Sequence, residues 1–136
     1  RTSDAMTDET RVIFALRSAQ GTSTYGDSPL LVIRQTGQVL DIFVDWHDYL
    51  ADDRQIVTHR FDSSDPERIR WNVSTDNTAT FYPRDTTAFV RRLLDADRLV
   101  LRTAPYNESP VTAVFRLNGF ESAAGRYADD LPGWFD

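Results

Sequence analysis

The chain has 136 residues, enough for one domain with a substantial core, and 40% of them are hydrophobic, so it is expected to fold. It has no cysteine, which excludes a disulfide framework, a thiolate metal site and a cysteine nucleophile. The net charge of −6 disfavours nucleic-acid binding through a globally basic surface, and no apolar run approaches the length of a membrane span.

Residues 1–10 are polar and expected to be loosely held, ahead of a single β-rich domain over 11–131 and a tail at 132–136. Val12, Phe14 and Leu16 alternate with Ile13, Ala15 and Arg17, the period of a strand. Gly21 to Pro29 has loop composition. Leu30 to Arg34 is a second strand, and Gln35-Thr36-Gly37-Gln38 turns it into a third, Val39 to Trp46, apolar on both faces and so expected to be central. After a charged loop over His47–Arg54, Gln55, Val57, His59 and Phe61 share one strand face. Ser63-Ser64-Asp65-Pro66 breaks that strand. Ile69, Trp71 and Val73 share a face of the next, and Thr75-Asp76-Asn77 turns into Thr78–Tyr82.

Pro83 then ends the strands. Asp85 is suited to cap a helix over about 85–95, because its carboxylate can accept a backbone N–H of the first turn. Phe89 and Leu93, with Val90 and Leu94, form its apolar stripe. Two more strands follow, Leu99–Thr103 and Val111–Leu117, joined by Tyr106-Asn107-Glu108-Ser109 between Pro105 and Pro110. Proline at both ends fixes φ and restricts the residue before it, so this is read as a stiffened hairpin loop. Residues 120–129 suit a short C-terminal helix. The fold expected is mostly β: an antiparallel sandwich or open barrel with one inserted helix.

Three groups of residues carry potential chemistry. Residues 45–53 hold four aspartates and His47. Asp45, Asp48 and Asp52 are the candidate ligands of a hard cation, which prefers several oxygens from one loop, although the spacing matches no calcium-loop pattern. His47 and His59 make a formal zinc pair on different elements, but His59 is read rather as a partly buried strand histidine beside Val57 and Phe61. No Gly-x-Ser-x-Gly elbow marks a nucleophilic serine.

The third group is a row of arginines, Arg60, Arg68, Arg70, Arg102 and Arg116, each on the polar face of an expected strand. Aligned, they would meet an anionic ligand such as a carboxylate-bearing glycan. The structural alternative is cross-strand pairing with the abundant aspartates. Every basic residue is arginine and aspartate far outnumbers glutamate, a bias read as that of a genome or a saline habitat. Tyr106 and Glu108 join the candidate binding residues, Tyr106 by lying over a neighbouring strand and Glu108 by pairing with Arg102.

The segments DETRVIFALRSA, LLVIRQTGQV, VTHRFDSSDPERIRWNVSTDNTATFYP, the helical FVRRLL and above all DRLVLRTAPYNESPVTAVFRLNGF resemble, in order and spacing, the C-terminal domain of the VasI family, which includes TagO. The likeness covers about residues 8–125. It implies an accessory domain of the bacterial envelope associated with type VI secretion, in the periplasm or at the envelope, with no catalytic residues to carry over. The family often has a cysteine at the end of the strand that here reads Leu31-Val32-Ile33-Arg34-Gln35. This chain has none, so any corresponding disulfide is absent. The family's cysteine-containing N-terminal segment is also missing and Arg1 stands in place of a start methionine, as expected of a processed or trimmed chain.

The function expected is therefore a non-enzymatic interaction domain without a cofactor, meeting a protein or envelope component rather than nucleic acid and using Arg60, Arg70, Arg102 and Arg116. The alternative is a small hydrolase of cell-wall glycan working through Asp45, His47 and Asp48.

Overall fold

A computed structural model describes residues 1–23 and 26–135. Among the described residues, nine strands form one antiparallel sheet: β1 (Thr2–Ser3), β2 (Thr10–Arg17), β3 (Leu30–Thr36), β4 (Val39–Asp45), β5 (Arg54–Phe61), β6 (Glu67–Val73), β7 (Ala79–Phe81), β8 (Arg98–Thr103) and β9 (Val111–Arg116). Helix α1 (Thr86–Asp95) lies between β7 and β8; α2 (Phe120–Gly125) and a 3-10 turn (Ala128–Asp130) follow β9. The strands lie in the order β1-β2-β3-β4-β7-β6-β5-β8-β9. The mostly antiparallel β fold with an inserted helix is thus as the alternation of the sequence predicts. The loop expected over 21–29 falls partly on residues 24–25, outside the described residues.

Of the two architectures expected, the sheet adopts the open barrel. Just past β2, the N–H of Ala19 donates to the carbonyl of Val114 on β9 (2.7 Å), and the N–H of Val114 donates to that of Gln20 (3.0 Å). These two bonds join the segment following β2, the strand next to one edge of the sheet, to β9 at the other edge. Strand period then sorts side chains into two layers. Leu31 and Ile33, Ile42 and Val44, Val57 and Phe61, Leu99 and Leu101, and Ala113 and Phe115 are buried in the interior. Helix α1 starts where Asp85 accepts a hydrogen bond from the N–H of Ala88 (3.0 Å), and it buries Phe89, Val90 and Leu93.

Both chain ends depart from expectation. Residues 1–10 fold back as a short hairpin, with Thr2 opposite Arg11 and Arg1 paired to Asp130 at 2.9 Å. Within the expected tail, Trp134 is buried. Its indole N–H donates to Oε1 of Gln35 on β3 (2.9 Å), and Phe14 and Phe120 lie against its ring. The short segment Leu131-Pro132-Gly133-Trp134-Phe135 has no strand or helix period, so nothing local announces this anchor. Among the described residues, no helix is long and apolar enough to cross a membrane.

Candidate functional site

On β5, β6, β8 and β9 the inward positions are mostly apolar, with His59 and Thr103 as buried exceptions, and the outward ones carry the arginines. The register sets their spacing. Thr58 on β5 stands between Arg68 of β6 and Arg102 of β8, and Ile56 stands opposite Arg70. Arg54 opens β5 one period further on, opposite Asn72. Arg54, Arg68, Arg70 and Arg102 line a groove of about 330 Å³ together with Ile56, Thr58, Ala104 and Pro110. Among the described residues, Asp52 is the one acidic side chain in its lining.

None of these four arginines is in an ion pair among the described residues. Arg102 instead donates from Nε to the hydroxyl of Thr112 (2.8 Å). Cross-strand pairing with aspartate does occur elsewhere, between Arg34 and Asp41 at 3.0 Å, but not along the predicted row. Further along the same outer face, Arg60 donates from Nε to the carbonyl of Ser64 (2.8 Å) and borders a second hollow with Thr58, Val100 and Arg102. Beyond it, Arg116 stands directly opposite Arg98. The predicted arginines therefore share a face, with Arg68, Arg70 and Arg102 in the groove and Arg60 and Arg116 outside it. Arg54 was missed, because the charged stretch before it reads as loop.

Tyr106 and Glu108 sit at the groove's end rather than in it. Tyr106 donates its N–H to the carbonyl of Tyr49 (3.0 Å), and the two exposed rings meet edge to face at 5.9 Å. The 104–110 loop thus docks on the 46–53 loop, not over a strand. Glu108 makes no ion pair with Arg102, contrary to expectation, because the guanidinium is turned to Thr112 on the adjacent strand.

The aspartates expected to share a cation are dispersed. Asp45 accepts the N–H of His47 (3.0 Å) and lies 3.5 Å from its ring; Asp48 is buried; Asp52 faces the arginine groove. Among the described residues no three His, Asp or Glu side chains come together as a metal site, and the pair His47 and His59 gains no third ligand. Local spacing brought the three aspartates close in sequence, but the positive φ of His47, 56°, lies between Asp45 and Asp48 and redirects the chain.

His59 faces inward, 1% exposed, with the rings of Phe61, Trp71, Tyr82 and Phe89 around it at centroid distances of 5.9, 6.3, 6.1 and 5.3 Å. Its Nε2 lies 3.3 Å from a Glu67 oxygen, but off hydrogen-bond alignment, and among the described residues both ring nitrogens lack a hydrogen bond. Burial pushes its pKa below the ordinary 6.5. Glu67 pulls the other way, and Arg92 and Arg84 add to the lowering. The unfolded chain therefore binds a proton that the folded chain refuses. The stability from this site is complete above the unfolded value of 6.5 and is lost as pH falls from there through the lower folded value. The melting temperature should fall on acidification from pH 7 towards 5, and His59→Phe should flatten that slope. Parallel slopes would place the acid sensitivity elsewhere.

No protein-family model, curated protein or solved structure matches the chain.

Proposed function

We propose that this protein is a non-enzymatic binding domain whose outer arginine groove receives an anionic partner. One observation carries the reading: in a chain of net charge −6, four arginines converge on a groove with a single carboxylate and no ion pairs among the described residues. Unpaired guanidiniums in a concavity offer planar, bidentate contacts to carboxylate or phosphate, and they do so without a preliminary ion pair to break. The setting we propose is the bacterial envelope, as an accessory to type VI secretion, with a protein or envelope component as partner. That setting rests on the VasI-like segments described above. The hydrolase alternative has less behind it, because Asp45, His47 and Asp48 lie outside the groove.

Titration with citrate, followed by NMR, tests the binding reading. Saturable shifts should map to the Arg54, Arg68, Arg70 and Arg102 side chains and to the Thr58 amide. Arg70→Glu should abolish them, and added salt should weaken them by screening. Equal, unsaturable shifts across all the arginines would overturn the assignment.

A further inference from the structure

The groove is one end of a longer feature. Outward positions along β5 recur every two residues, about 7 Å apart. At each step the register adds positive charge beside the strand. Arg70 stands opposite Ile56, Arg68 and Arg102 stand on either side of Thr58, and Arg60 follows on β5 itself, opposite Val100. One step on, at the end of β5, are Arg98 and Arg116; Asp62 accepts the N–H of Arg98 at 3.0 Å. The second hollow shares Thr58 and Arg102 with the groove, so the two adjoin along the same face. From Arg54 to Asp62 the row runs roughly 27 Å at strand rise.

Two features of this row point to an external anion. Arg98 and Arg116 are directly opposed across β8 and β9, with no ion pair to either among the described residues. Like charges in that position destabilise a sheet. The chain also has aspartates in excess, yet among the described residues neither Asp52 nor Asp62 nor any other aspartate forms an ion pair with an arginine of this row.

Resting on the binding reading above, we infer that this face is a track for a linear acidic polysaccharide bearing carboxylates. The charges are spaced at intervals rather than continuous, which suits a polymer with its anions separated by sugar rings. Between the arginines lie Ile56, Val100 and Val114, alternating with the hydroxyls of Thr58 and Thr112. This mixture meets the C–H faces and hydroxyls of a sugar chain, and Asp52 supplies a further acceptor for hydroxyls at the groove. A single-stranded nucleic acid would instead need aromatic platforms for its bases, and these outward positions of β5, β8 and β9 hold none.

Calorimetric titration of the full chain with galacturonate oligomers tests the track. The hexamer should bind about tenfold more tightly than the dimer, since each further exposed ion pair contributes about threefold. Arg60→Gln and Arg116→Gln should each weaken the hexamer about threefold and leave the dimer unchanged. Arg116→Gln should also leave the melting temperature level or raise it, because a like-charge contact is removed. A neutral glucose hexamer should not bind. Equal affinity for dimer and hexamer overturns the track, as does tighter binding of single-stranded DNA or polyphosphate than of the uronate hexamer. If citrate still maps to the groove in those cases, the groove reading stands and only the track falls. If neither citrate nor uronate binds, both fall.

Discussion

Trp134→Ala should lower the melting temperature by roughly 12–25 °C. The indole is 2% exposed and fills the space between β2, whose Phe14 ring lies 5.7 Å away, and α2, whose Phe120 ring lies 6.2 Å away. Truncating a buried tryptophan to alanine costs about 3–5 kcal/mol. The substitution also removes the donor to Oε1 of Gln35, a side chain only 2% exposed, and a buried acceptor left without its partner costs about 1–3 kcal/mol more. Trp134→Phe separates the two contributions, because it keeps most of the apolar contact and loses the N–H. It should fall between the wild type and alanine when thermal unfolding is followed by circular dichroism. A Trp134→Ala protein melting within two or three degrees of wild type would mean that the C-terminal segment is not part of the cooperative unit.

The same residue shows where sequence reasoning stops. Period-two alternation, together with apolar runs bounded by turn residues, placed eight of the nine strands among the described residues, because both signals are local to the strand. The cap at Asp85 and the stripe of Phe89, Val90 and Leu93 located α1 for a similarly local reason. Trp134 and Gln35 are ninety-nine positions apart, and nothing local in either segment announces the other. The arginine face lies between these cases. Strand phase alone sent Arg68, Arg70 and Arg102 outward, so a shared surface was legible. Which of them converge depends on register, and register depends on the turns between β5 and β6 and on the long return through α1 to β8. Arg54 was lost because one residue at a strand end has no alternation to show. Asp45, Asp48 and Asp52 were grouped for the opposite reason: proximity in sequence was taken for proximity in space, and a loop that turns at His47 undoes it.

Gly21→Ala should destabilise the fold by about 2–5 kcal/mol and loosen the seam of the barrel first. Gly21 has φ of +93°, where an L side chain is strained, and a Cβ built there would lie 2.1 Å from the carbonyl oxygen of Thr112 and 3.0 Å from Cα of Ala113. Those contacts are with β9 backbone, which cannot swing aside as a flexible side chain can. Relief has to come from moving residues 18–21 away from β9, and that movement stretches the bonds between Ala19, Gln20 and Val114 that join the segment following β2 to β9. Gly119→Ala is the control. Gly119 has nearly the same dihedral, φ of +87°, but open space within 4 Å of the added Cβ, so it carries the backbone strain alone. The difference between the two variants in denaturant unfolding therefore measures the steric cost at the seam. Hydrogen exchange adds the location: in Gly21→Ala the amides of Ala19 and Val114 should lose protection before those of β3 and β4. If Gly21→Ala and Gly119→Ala lose equal stability, the seam contributes nothing beyond backbone strain. The sheet would then be an open one whose edges touch without holding each other.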